Sequence, residues 1–164
     1  MAGLSFYTVD EEYVDYLAPV APHLFRNAKA GQRNSRKYIG IVLRVNGFDY
    51  FALLSSFKDK HRRMKNGLDF LKVKDYAVIN LNCMFPVPDG ACQHVDFSLV
   101  SDARYRSLLQ AEYRVIKQLA PKIEKNAANL YKHKLENGDS TKLAARCNDF
   151  TALESACESY QQKA

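Results

Sequence analysis

Two hydroxyls and a lysine, Ser55, Ser56 and Lys58, close one apolar run of this chain, and Arg36 and Lys37 open another. Fixed cations beside hydrogen-bonding hydroxyls suit a phosphate group, whose non-bridging oxygens ask for charge-assisted donors. On RNA such a set has a defined task. The 2′-hydroxyl can attack the adjacent phosphorus and leave a 2′,3′-cyclic phosphate and a 5′-OH, provided the strand is held in line, cations meet the charge of the phosphorane, and two protons are moved. Arg36 and Lys58 would hold the phosphate, Lys37 would assist or relay a proton, and Ser55 and Ser56 would donate to oxygens around phosphorus. The bland reading is a turn at Ser55-Ser56 and a solvated sheet edge, because edge strands carry Lys and Arg against aggregation.

The proton transfers are the weak point of this set. Serine is a poor base, and free Lys and Arg titrate near about 10.4 and above about 12. A cluster of cations lowers the pKa of a lysine within it, which gives Lys37 or Lys58 a route to proton transfer. His61 titrates in the right range, although an exposed histidine in a basic loop is more often a surface residue.

A hairpin must position these residues. Tyr38 to Val45 and Phe48 to Leu54 are β-branched and aromatic runs separated by Asn46-Gly47, both of which tolerate positive φ in a two-residue turn. The register that follows pairs Val45 with Phe48, Arg44 with Asp49, Leu43 with Tyr50 and Ile39 with Leu54. Opposite charges at Arg44 and Asp49 support it. Continued to the open end, the same count sets Tyr38 against Ser55, Lys37 against Ser56, and Arg36 near Phe57 and Lys58, with a bulge shifting this by one residue.

Charge collects around that hairpin. The chain of 164 residues has a formal charge of +6, of which residues 1–25 carry −4, residues 26–65 carry +9 and residues 66–164 carry +1. A polyanion is the expected partner of the basic segment, and nucleic acid suits it better than a membrane, since the cations do not lie on an amphipathic helix. No apolar span of membrane length and no signal-like start is present, so a soluble cytoplasmic protein with one domain over residues 1–164 is expected. Cys83, Cys92, Cys147 and Cys157 have neither C-x-x-C spacing nor neighbouring histidines, which argues for reduced, packed thiols and against zinc. No cofactor motif occurs: G-x-S-x-G, P-loop and G-x-G-x-x-G are all missing. The carboxylates lie outside the basic segment, so a paired-acid mechanism lacks parts.

The remaining elements are read in order. Residues 4–9 form a first strand, followed by a short acidic-capped helix that carries Tyr13 and stops by Pro19. Residues 19–35 form a mobile basic loop with Arg26, Lys29 and Arg33. Residues 57–67, with Lys60, His61, Arg62, Arg63 and Lys65, form an irregular loop or a short surface helix where the positive charge is densest. Residues 74–85 and 94–99 alternate as strands, giving about five in all. From Asp102 the period changes to three and four, predicting a helix to Lys117 that Pro121 ends or kinks, another over 123–134, and a last one opening at a capping box, Thr151 to Glu154.

The run Arg36 to Leu43, then Tyr50 to Lys58 with His61 beyond it, resembles the toxin endoribonucleases of type III toxin–antitoxin systems, the ToxN/AbiQ family. Phe6-Tyr7 with Tyr13, Ile79 to Leu81 before Met84-Phe85-Pro86, and Arg104-Tyr105-Arg106 resemble further landmarks of that family. The resemblance implies an α+β fold, a strongly twisted antiparallel sheet forming a partial SH3-like barrel, with a short N-terminal helix and C-terminal helices packed on it. It implies a metal-independent endoribonuclease in which Ser56 has the nucleophile-side or proton-transfer role, with Ser55 and Lys58 beside it and Arg36 and Lys37 completing the site. Tyr13, Arg33, Tyr38, Lys60, His61, Arg62, Arg63, Lys65 and Tyr105 are the expected RNA-binding residues, single-stranded bases lying on aromatic rings and phosphates on cations. The implied partners are cellular or phage RNA as substrate and a small antitoxin RNA of repeated pseudoknots, processed by the protein and held in a closed protein–RNA hetero-oligomer. Family members often have Thr where Ser55 stands and many have Pro where Lys37 or Phe57 stands, so Lys37 is the least secure of the set. Two other classes share the charge map or the barrel: a non-catalytic RNA-binding protein and an SH3-like protein-interaction module.

Overall fold

A computed structural model describes residues 4–23 and 37–163. The predicted 19–35 loop begins in a 3₁₀ turn, Ala18–Val20; its basic residues Arg26, Lys29 and Arg33, and Arg36 beyond it, lie outside the described residues.

The fold is α+β, built on a six-stranded, open antiparallel sheet. Its strands are β1 (Ser5–Val9), β2 (Lys37–Val45), β3 (Phe48–Ser56), β4 (Phe70–Val73), β5 (Ala77–Pro86) and β6 (Cys92–His94), in the order β4-β5-β3-β2-β1-β6. The helices are α1 (Glu11–Leu17), α2 (Asp59–Arg63), α3 (Ala103–Asn137), α4 (Lys142–Ala145) and α5 (Phe150–Lys163). One strand more is present than the sequence suggested. The extra strand, β4, is four residues long, and a turn through Lys74 at φ 51° separates it from β5, which shortens the predicted 74–85 strand at its start. The predicted 94–99 strand is instead the end of β6 followed by a 3₁₀ turn, Phe97–Leu99, in which Asp96 accepts from the Ser98 N–H.

The hairpin forms where expected. Asn46 and Gly47 take φ values of 54° and 80°, and Val45–Phe48, Arg44–Asp49 and Leu43–Tyr50 are the pairs next to the turn. The expected register fails beyond Leu43. Gly40 pairs with Phe51 and Leu43 with Tyr50, so Ile41 and Val42 are two extra residues on β2, and Ile39 faces Ala52 instead of Leu54. Gly40 is needed at this bulge, because a Cβ there would stand 2.7 Å from the Phe51 ring. The shift carries the open end with it: Tyr38 faces Leu53 and Lys37 faces Leu54, in place of Ser55 and Ser56. An even shift keeps side chains on their face, so Lys37 still shares a face with Leu54 and, one pleat on, with Ser56.

Helix α3 runs unbroken through Pro121, which corrects the predicted break. Pro121 is exposed, and the buried positions Leu109, Ile116, Ile123, Ala127 and Leu130 keep one stripe against the protein on both sides of it. Burying that stripe outweighs one lost backbone hydrogen bond. Asp102 caps the helix by accepting from the Arg104 and Tyr105 N–H groups, and Gly138 ends it at φ 58°. The cap of α5 is also displaced from the expected Thr151: Asp149 accepts from the Ala152 N–H. Helices α3, α5 and α1 cover the sheet, with Tyr13, Tyr38, Tyr50, Phe6, Phe85 and Phe150 fully buried between the layers. No helix among the described residues is long and apolar enough to cross a membrane.

Candidate active site

At the open end of the hairpin, Ser55 and Ser56 are the last residues of β3 and point to opposite faces of the sheet. Each face there is hollow. On one side a cavity of about 280 Å³ is lined by Ser55 and Ser56 together with Lys37, Tyr76, Tyr105 and Glu112. On the other, a cavity of about 270 Å³ is lined by the same two serines with Lys58, Lys60, His61 and Asn80. The two hollows share only these serines, which border both, and together they make up the candidate crevice at the end of β3.

The crevice is electrostatically specific. Lys37 is half-buried, its ammonium lies 5.9 Å from the centre of the Tyr105 ring, and desolvation lowers its pKa from the usual lysine value. Desolvation, and secondarily the charge of Glu112, raises the Tyr105 phenol. Glu112 is only 5% exposed, and burial pushes its carboxyl up to about 7. Ser55 is oriented by Asn80, whose Nδ2 donates to Ser55 Oγ at 3.2 Å, so the serine hydroxyl hydrogen remains available to an outside acceptor. Ser56 is exposed and makes no side-chain hydrogen bond among the described residues.

The structure gathers Ser55, Ser56, Lys58 and Lys37 as the sequence proposed. Lys60 lines the crevice with Lys58, and Arg62, Arg63 and Lys65 are exposed along and just beyond α2, where the Arg62 guanidinium lies 5.5 Å from the centre of the Phe57 ring. Three expected contacts behave differently. Tyr13 is fully buried, donates to the Pro86 carbonyl at 2.5 Å and packs on Tyr160, which makes it a core residue. Tyr38 is likewise fully buried, edge-on to Phe85. His61 is 6% exposed rather than a surface residue, set between Phe57 and Phe70, and its Nδ1 accepts the Lys58 N–H at 2.8 Å. Desolvation, then Lys60, Lys58 and Lys72, lowers its pKa, so the neutral ring carries its proton on Nε2 and fixes the backbone from which Lys58 projects.

Glu112 is the residue that sequence reasoning missed. It lies about fifty residues beyond the basic segment, yet a signal was present: it falls three residues after Leu109 and four before Ile116, on the apolar stripe of α3. A carboxylate on a buried stripe needs a partner or a function.

Comparison with known proteins gives this chain a family. The family model for toxin ToxN of type III toxin–antitoxin systems matches residues 5–158. The chain belongs to that family. Among ToxN-family relatives, endoribonuclease ToxN of Bacillus thuringiensis subsp. kurstaki is 28% identical over 96% of this chain and 84% of its own length. Endoribonuclease AbiQ of Lactococcus lactis subsp. lactis is 27% identical over 98% of this chain and 91% of its own length. A solved toxin structure, described as one of selective inhibition by a non-coding RNA pseudoknot, superposes with a TM-score of 0.82 at 26% identity, covering 98% of this chain and 99% of that one.

Proposed function

We propose that the protein is an endoribonuclease toxin that cuts RNA, without a metal ion, by attack of a 2′-hydroxyl on the adjacent phosphorus. The observation that carries this reading is that Ser55 and Ser56, at the end of β3, border two hollows at once, one lined by Lys37 and the other by Lys58. In the attack the O2′–P bond forms and the P–O5′ bond breaks, giving a 2′,3′-cyclic phosphate and a 5′-OH. Lys37 and Lys58 stand on opposite sides of the serines and meet the charge of the phosphorane from two directions. Ser55, held by Asn80, donates to a non-bridging oxygen. Ser56, by family resemblance, lies nearest the reacting atoms. Arg36, next to Lys37 in the sequence, and Arg33 join the site on sequence grounds.

Flanking nucleotides extend from this crevice. Tyr105 on one side and Phe57 with Arg62 on the other offer faces for unstacked bases, and Lys60, Arg63 and Lys65 follow the phosphates. The relatives' names and the pseudoknot-inhibited neighbour support the corresponding partner here: a small antitoxin RNA of repeated pseudoknots that the protein processes and then holds in a closed protein–RNA assembly. The substrate is cellular or phage RNA in the cytoplasm. We read residues 1–164 as one functional domain, whose sheet the β2 and β5 irregularities curl toward a partial SH3-like barrel.

Incubation of the purified protein with end-labelled RNA in excess EDTA tests the proposal. Cleavage is expected, with products that carry a 2′,3′-cyclic phosphate and a 5′-OH. RNA that stays intact while bound would leave a non-catalytic RNA-binding protein, and 5′-phosphate ends would rule out 2′-hydroxyl attack.

A further inference from the structure

The serines and lysines of the crevice supply hydrogen bonds and positive charge, but 2′-hydroxyl attack also needs an acceptor for the hydroxyl proton. Three observations single out one group. Among the described residues Glu112 is the one carboxylate that lines the crevice, on the side that Lys37, Tyr105 and Ser56 also line. The residue is only 5% exposed, yet among the described residues its side chain makes no hydrogen bond and no ion pair. A structural buried carboxylate is normally satisfied by such partners; one left facing a cavity is available to a ligand. It also projects from the third turn of α3, a long helix, so its position is fixed by packing on both sides at Leu109 and Ile116.

We propose that Glu112 is the general base of the reaction, an inference that rests on the transesterification reading above. The Glu112 carboxylate takes the proton of the 2′-hydroxyl as the O2′–P bond forms. The O5′ leaving group takes a proton from the Lys37 ammonium as the P–O5′ bond breaks. Both protons then return to balance through water, leaving Glu112 ionised and Lys37 charged for the next turnover.

The surroundings of Glu112 set its titration. Among the described residues, Lys37 from β2, Tyr76 from the β4–β5 turn and Tyr105 from its own helix line the same hollow, Tyr105 near enough to feel its charge, while β3 contributes Leu54 and the two hydroxyls. Burial dominates, holding the carboxyl near the pH at which a base is both free to accept a proton and strong enough to take one. The rate therefore rises with pH through about 7, and falls again where Lys37, lowered by the same cavity, loses its proton.

The test is single-turnover cleavage of a short RNA across pH 5–9 by the wild type, Glu112→Gln and Glu112→Asp, with RNA affinity measured in parallel. Glu112→Gln should slow cleavage by about 100-fold or more. RNA binding should stay within about three-fold, and the acid limb should disappear. Glu112→Asp, with its carboxyl drawn back by one methylene, should cut slowly but keep that limb. A substrate whose 5′ oxygen is replaced by sulfur needs no proton on its leaving group, so it should rescue Lys37→Ala and leave Glu112→Gln impaired. Wild-type cleavage with Glu112→Gln equally fast, or with its acid limb intact, overturns the role of Glu112 and leaves the endoribonuclease standing. Rescue of Glu112→Gln by the sulfur substrate makes Glu112 the acid instead and overturns its assignment as base. Products with 5′-phosphate ends overturn the transesterification and the base together.

Discussion

The two ends of the β2–β3 hairpin put the same kinds of side chain to opposite uses. At the turn end, Asn46 Nδ2 donates to Tyr131 Oη at 3.2 Å and to Glu154 at 3.4 Å, while the Tyr50 and Tyr131 hydroxyls donate to Glu154 at 2.6 and 2.7 Å. Arg44 and Asp49 close a pair at 2.7 Å across the ladder. Nearly every polar group there is spent on tying strand to helix. At the open end, and among the described residues, the side chains of Ser56 and Lys37 donate no hydrogen bond, Lys58 makes no ion pair and the Glu112 carboxylate has no hydrogen-bond or ion-pair partner. One carboxylate on α5 is saturated by three donors, and one on α3 is left for something that arrives. Polar groups satisfied within the fold hold it together; polar groups left over are what a substrate can use.

The contrast is open to direct attack. Ser56→Ala should cause the largest change, a loss of cleavage by at least about 1000-fold. RNA affinity should stay within a few-fold and the melting temperature should not move, as gel assay, filter binding and calorimetry would show. Cleavage at the normal rate would remove Ser56 from the site. Glu154→Ala should do the reverse. It leaves the Tyr50 and Tyr131 hydroxyls without their acceptor, at a cost of about 2–3 kcal/mol, which lowers Tm by about 5–10 °C while the folded fraction still cuts. If catalysis falls and Tm holds, the division between the ends is wrong. Lys58→Ala should weaken RNA binding by about ten-fold at low salt, and the slope of log Kd against log salt should shrink by about one, the signature of one lost phosphate contact.

The smallest effect concerns stability at the open end. The folded Glu112 carboxyl holds its proton up to about 7, against an ordinary value of 4.5. Stability that depends on this proton is therefore complete below the ordinary value and is lost as pH rises through about 7. Glutamine has no such proton to lose. Glu112→Gln should melt about 2–4 °C above the wild type at pH 8 and level with it at pH 4.5, a gain in stability bought with activity. Equal melting temperatures at both values would mean that the carboxyl is not strained by its burial.

Much of this was legible in the sequence and some was not, for identifiable reasons. Asn46-Gly47 and the Arg44/Asp49 match fixed the hairpin near the turn, because turn chemistry acts locally. The expected register allows for a bulge of one residue, but its place and its actual size of two were hidden because Ile41 and Val42 look like any strand residues, and only the Phe51 ring against Gly40 explains where the ladder slips. The basic residues announced a site for a polyanion by their number. Tyr13 and Tyr38 misled because an aromatic beside charges reads the same whether it faces solvent or core. Glu112 escaped notice because chain distance hides what α3 brings to the end of β3, and the break expected at Pro121 obscured how far that helix reaches.

Because α3 is continuous, Tyr105 beside Lys37 and Tyr131 beside Glu154 sit on a single rod, 26 residues or about 39 Å apart at 1.5 Å per residue. Their angular phase is thus set by the count of residues between them. One alanine inserted just after Pro121 would turn the two halves by about 100° relative to each other. With Tyr131 still clamped on α5, the carboxylate in the crevice would have to swing away or the clamp would have to let go.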